Sequence, residues 1–182
     1  LVHLAAHEFF HLWNVKRLRD AAMVPYDYSR ENYSTLLWFH EGLTETVENQ
    51  ILVRAGVTSP AAFLRELAGA WTVYLQKPGR NHEPLSQVSL EAWVKQYKPS
   101  PAHHTTYVSY YEKGHLVGVC LDLELRLRSR GRGSLVGLFR RLMASHGARG
   151  RGVTPDDIVA AASVEAGEDM SGFFRRYIDG TE

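Results

Sequence analysis

A mainly α-helical chain is predicted by three observations: helical spacing of apolar residues along most of the 182 residues, clear caps and breakers between those segments, and a scarcity of alternating β-branched runs. The first helix is expected from the start to about Arg19, because Leu1-Val2-His3-Leu4-Ala5-Ala6 enters the helical pattern at once. No Ser, Thr, Asp or Asn stands there in a capping position, so the chain reads as starting inside a helix. Pro25 to Ser29 breaks the pattern, and a second helix is expected from about Tyr33 to Ala55, ending at Gly56.

Ser59 and Pro60 start a third helix with Phe63, Leu64, Leu67, Trp71 and Leu75 on its apolar face, and Pro78-Gly79 stops it. Asn81 to Gln87 reads as a loop. Ser89 is expected to cap a short helix carrying Leu90, Trp93 and Val94, closed by Pro99-Ser100-Pro101. A long segment from about Tyr107 to Ser129 follows, its predicted buried face being Leu116, Val119, Cys120, Leu123 and Leu127. Ser134 opens the helix Leu135 to His146. Thr154-Pro155-Asp156-Asp157 resembles a capping box before Ile158 to Ala166, and Ser171 to Tyr177 forms the last helix. With neither repeats nor a low-complexity linker, residues 1–182 read as a single helical domain, and the ending Tyr177 to Glu182 as a helix exit cut from a longer protein.

Composition narrows the function classes. The chain has 45% hydrophobic and 23% charged residues, enough to build a core. A net charge of +1 offers no global field for nucleic acid, and the run Arg126, Arg128, Arg130 and Arg132 lacks interleaved aromatics. No stretch has the length and apolarity of a membrane span, and no secretory pattern opens the chain, which leaves its compartment open. The one cysteine, Cys120, lies in an apolar run and reads as a buried, inert thiol.

His7-Glu8-Phe9-Phe10-His11 carries the chemistry. At about 100° per residue, positions four apart share a helical face, so two imidazoles can grip one divalent ion. Glu8 lies about 100° round from His7, near enough to hydrogen-bond a water at the ion without becoming a ligand. Phe9 and Phe10 are expected to plug this helix into the core. A catalytic zinc takes three protein ligands and leaves one position open, which calls for a donor from another element. Thirty residues beyond His11, Glu41 stands within Leu37-Trp38-Phe39-His40-Glu41-Gly42-Leu43, where an unpaired carboxylate is unfavourable to bury. Metal ligation explains it. Glu45, four residues on, is expected to take the free imidazole N–H of His7 or His11, whereas Glu48 reads as solvated or paired. His3, His82 and His103-His104 read as packed or solvated histidines, and Lys16, Arg17 and Arg19 as a solvated basic face.

With those residues in view, the segments HEFFHLWNVKR, YDYSRENYSTLLWFHEGLTE and SYYEKG are similar to the glycyl aminopeptidase family of gluzincin metallopeptidases, over essentially the whole chain. That resemblance implies the helical C-terminal half of a thermolysin-like catalytic domain. It also implies one zinc ion per chain, held by His7, His11 and Glu41, with Glu8 as general base, and release of N-terminal glycine or alanine from peptide substrates. Tyr111 matches the tyrosine of the relatives' Tyr-x-Lys-Gly segment, whose hydroxyl faces the scissile carbonyl; Tyr110 is the alternative. A β-rich region upstream and a further domain downstream are implied in the longer protein. Two other readings stand beside this one: a zinc endopeptidase on the same scaffold, and a non-catalytic helical interaction module.

Overall fold

A computed structural model describes residues 1–103 and 107–182. His104, one of the histidines named above, lies outside the described residues. Among them no strand forms, and the only ladder-like contacts are the isolated bridges Asn14 to Leu18 and Asp20 to Val153. The chain is built of α1 (Val2–Phe10), a π-helical turn (Trp38–Gly42) running into α2 (Leu43–Arg54), α3 (Pro60–Gln76), α4 (Leu85–Leu90) and α5 (Ala92–Lys95). After these come α6 (Glu112–Arg128), α7 (Leu135–Ser145), α8 (Pro155–Ala166) and α9 (Ser171–Tyr177).

α1 is half the length expected. It stops at Phe10 because the chain reverses through turns that bury Asn14 and Leu18, and Val15 takes a positive φ of 120° in that reversal. Phe10 leans on Phe139 in the core, with ring centroids 5.2 Å apart, but Phe9 stays exposed, its ring edge-to-face with Trp13. The second helix likewise begins later than Tyr33, at the π turn.

α6 is the central strut, packing on the π turn, α2, α3, α7 and α8. Its buried face is not the expected one. Leu116, Val117, Leu121 and Leu125 are buried, while Leu123 and Leu127 are exposed, because the helix is apolar on two sides and Gly114 and Gly118 mark the side that meets a neighbour. At Gly42 the π turn crosses Gly114 so closely that a Cβ on Gly42 would sit 2.6 Å from the carbonyl carbon of Gly114. One turn further, Gly118 leaves room for the side chains of Thr46 and Leu43. The paired glycines let two backbones touch and fix the height of α2 against α6. Trp38, Phe39, Leu43, Val47 and Tyr110 fill the core beside this crossing.

The cap signals act locally. Ser59 accepts from Ala62 N, Ser134 from Gly137 N, and Thr154 and Asp157 form a reciprocal capping box. Asp122, buried on α6, also accepts from Leu135 N at 2.7 Å and so ties α7 to the strut. Ser89 departs from its expected role. It lies inside α4, donating to Leu85 O and accepting the Trp38 N–H at 3.1 Å, so it anchors the π turn instead of capping a helix. The α3 face of Leu64, Trp71 and Leu75 remains largely exposed, and α3 has no fully buried residue. Cys120 is only partly buried, with burial raising its thiol pKa.

Candidate metal centre

His7 on α1 and His11, its C-cap residue, stand one turn apart, with ring centroids 4.7 Å from each other. Facing them, the π turn keeps Trp38, Phe39 and His40 in the core and projects Glu41 outward. A π turn adds a residue to the helical ladder and re-aims the side chains around it, a device often found at functional sites. Glu41 Oε2 lies 3.1 Å from His7 Nε2 and 3.3 Å from His11 Nε2, and donor atoms of all three residues fall within 4.8 Å of one another.

These donors fit a divalent ion. Ligand bonds of about 2.0–2.1 Å in a tetrahedron separate neighbouring donors by about 3.3 Å, close to the two His–Glu spacings. Both rings are also oriented for it. His7 Nδ1 donates to Glu48 Oε2 at 2.8 Å, and His11 Nδ1 donates to the Asn14 carbonyl at 2.9 Å. With each Nδ1 committed to an acceptor, each Nε2 faces Glu41.

Charge follows this geometry. The Glu41 and Glu48 carboxylates raise the His7 imidazole to about 10 against burial. Burial acts to raise the Glu41 carboxyl, but the His11 and His7 imidazoles outweigh it and hold the group at about 2. Only a neutral imidazole has a lone pair to donate, so a cation would bind here by displacing the protons that these rings share with Glu41.

The triad lies in an open pocket of about 650 Å³, also lined by Glu8, Glu45 and Tyr111. Glu8 is exposed on the pocket side of α1. Tyr111, just ahead of α6, has its ring centroid 6.3 Å from that of His7. Burial, with Glu41 nearby, raises the phenol pKa, so the hydroxyl keeps its proton as a donor. Tyr110 instead stacks behind Tyr111 in the core, its hydroxyl 3.3 Å from that of Tyr97. Neither His82 nor His103 lines the pocket.

One expectation is corrected here. The histidine N–H expected to go to Glu45 goes to Glu48, which is buried and also meets His3 Nδ1 at 3.2 Å. Asn14 was missed entirely. Fully buried, it donates to the carbonyls of Phe39 and His40 and to Thr44 Oγ1, tying the end of the histidine helix to the turn that carries Glu41. Its signal was an amide in an otherwise apolar stretch, three residues after His11.

The basic run on α6 is absorbed in part by ion pairs, Arg126 with Asp122 and Arg128 with Glu124 and Glu168. No helix among the described residues is long and apolar enough to cross a membrane.

The fold and the site together define a helical unit that brings two histidines of one helix and a glutamate of the next to a common centre. The M61 glycyl aminopeptidase profile matches residues 1–117, and the chain belongs to that family. A crystal structure of an aminopeptidase N family protein from Idiomarina loihiensis is similar over the whole chain, with a TM-score of 0.94 and 30% sequence identity. The chain spans 31% of the length of that protein. No curated protein matches it significantly.

Proposed function

We propose that this chain is the metal-binding and catalytic part of a zinc-dependent peptidase, and that the protein containing it releases small residues such as glycine and alanine from peptide N-termini. The observation that carries the reading is the convergence of His7 and His11 Nε2 on Glu41 Oε2, in a pocket that also presents Glu8 and Tyr111. His7, His11 and Glu41 would hold one zinc ion, which supplies Lewis acidity toward a peptide carbonyl and toward water. Membership in the M61 family supports the same activity.

Each remaining role belongs to a residue of the chain. Glu8 takes a proton from the attacking water and returns it to the departing amine, as a carboxylate free of the ligand set can. Tyr111 donates its hydroxyl hydrogen bond to the oxyanion of the tetrahedral intermediate. Glu48 and the Asn14 carbonyl hold the two imidazoles in register, so that neither ring reorients during the reaction.

The test is Glu8→Gln in the zinc-loaded protein. Hydrolysis of alanine 4-nitroanilide should fall about 10²–10⁴-fold with zinc content unchanged. Tyr111→Phe should lower kcat by about 10²–10³-fold. Undiminished hydrolysis in Glu8→Gln contradicts the reading.

A further inference from the structure

We propose that Glu45 is the anchor for the free α-ammonium group of the substrate and the residue that makes this site prefer an unblocked N-terminus. The proposal rests on the peptidase reading above.

Four carboxylates line the pocket, and three have other duties. Glu41 sits between the two imidazoles, and Glu48 is held between His7 Nδ1 and His3 Nδ1. Glu8 is exposed on α1 beside the place where water must attack. Glu45 is left. Its side chain makes no hydrogen bond and no ion pair among the described residues, although it is mostly buried between α1, α2 and the start of α6. Lys16 lines the same pocket without pairing to it. Burial, reinforced by Glu48, raises the Glu45 carboxyl to about 7.

A carboxylate that has shed water without gaining a partner is unfavourable. A cationic ligand removes that penalty by supplying charge and hydrogen-bond donors together.

The placement suits an amino group in particular. In an N-terminal residue the α-nitrogen and the carbonyl carbon are separated by two bonds, about 2.5 Å across. An anchor for the nitrogen must therefore lie close beside the group that binds the carbonyl. Glu45, in the first turn of α2, stands four residues beyond Glu41 of the π turn that leads into it, about 6 Å along the axis at 1.5 Å per residue. It also forms part of the wall of a neighbouring, mostly polar cavity of about 270 Å³, where Phe63, Leu67 and Ala70 of α3 face Asn49 and His115 and a small first side chain can lie. Glu45 thus stands at the boundary between the carbonyl and the first side chain, which is where an α-amino group falls.

The experiment compares alanine 4-nitroanilide with propionyl 4-nitroanilide, which lacks only the amino group, on zinc-loaded wild type, Glu45→Gln and Glu45→Asp. The measured quantity is the ratio of kcat/KM for the two substrates, with zinc content recorded for each protein. A ratio of rates on one preparation is insensitive to partial loss of folded protein. The wild type should favour the free amine, and Glu45→Gln should lower the ratio by about ten- to hundredfold, mainly through KM of the amino substrate, as expected for loss of a charge-assisted hydrogen bond. Glu45→Asp should fall between the two. An unchanged ratio in Glu45→Gln overturns the proposal, as does an equal fall for both substrates, which marks a residue that only positions the histidines. A wild type that cleaves both substrates equally overturns it while the peptidase reading stands. Cleavage of neither defeats both.

Discussion

Glu48 Oε2 lies 2.8 Å from His7 Nδ1, and its other oxygen lies 3.2 Å from His3 Nδ1, so one buried carboxylate joins two turns of the histidine helix to α2. Removing it leaves His7 without the acceptor that fixes its ring. Glu48→Ala is expected to weaken zinc binding by about 10–100-fold, measured by competition with a chelator of known affinity. Unaltered affinity would show that His7 is oriented by other contacts.

Gly42 follows Glu41 directly and touches the Gly114 backbone. Because the obstructing atoms are main chain, Gly42→Ala cannot be relieved by a side-chain rotation; a Cβ would also come within 2.9 Å of His115 N. The substitution should destabilise the fold by about 1–3 kcal/mol and lower zinc retention at the same time, since the displaced turn carries Glu41. Urea titration with metal analysis checks both, and stability within 0.5 kcal/mol of wild type, roughly the scatter of neutral surface changes, would contradict the close crossing.

Lys113 on α6 is 1% exposed and, among the described residues, its ammonium reaches only the Glu83 carbonyl, 3.4 Å away. Burial lowers its ammonium to about 8 from the ordinary 10.5, with Glu83 opposing. The folded state therefore releases this proton at lower pH than the unfolded chain. The resulting penalty is complete below pH 8 and fades as pH rises toward 10.5. Lys113→Met keeps the apolar stem, so at pH 7 it should stabilise the protein by on the order of 1–3 kcal/mol, with the gap closing between pH 8 and 10.5. Denaturant melts at pH 7 and pH 10 test it; a gap that does not narrow would assign the gain to packing alone.

What could be read in advance was what local spacing dictates. His7 and His11 share a face because they are four apart, and the caps at Ser59, Ser134 and Thr154 bond within three residues, so both kinds of feature were legible. The early end of α1 was not, because Leu12 to Leu18 continues the apolar pattern and the reversal depends on Asn14 reaching carbonyls 25 and 26 residues away. The choice of Glu45 over Glu48 failed for a related reason. Positions four and seven beyond Glu41 both lie on its side of α2, and which one meets His7 depends on how α1 crosses the helix. The π turn adds a residue that no helical period reveals. On α6, size and spacing point to Leu123 and Leu127, but the buried side is set by where Gly114 lets the π-turn backbone approach and Gly118 admits the Thr46 and Leu43 side chains.

Zinc content per chain tests the shared metal centre most directly, measured for the wild type, His11→Ala and Glu41→Ala after loading and desalting. Convergence of these side chains on one ion requires about one zinc per wild-type chain and little in either variant. Retention of a full equivalent by Glu41→Ala would remove that glutamate from the ligand set and contradict the centre described here.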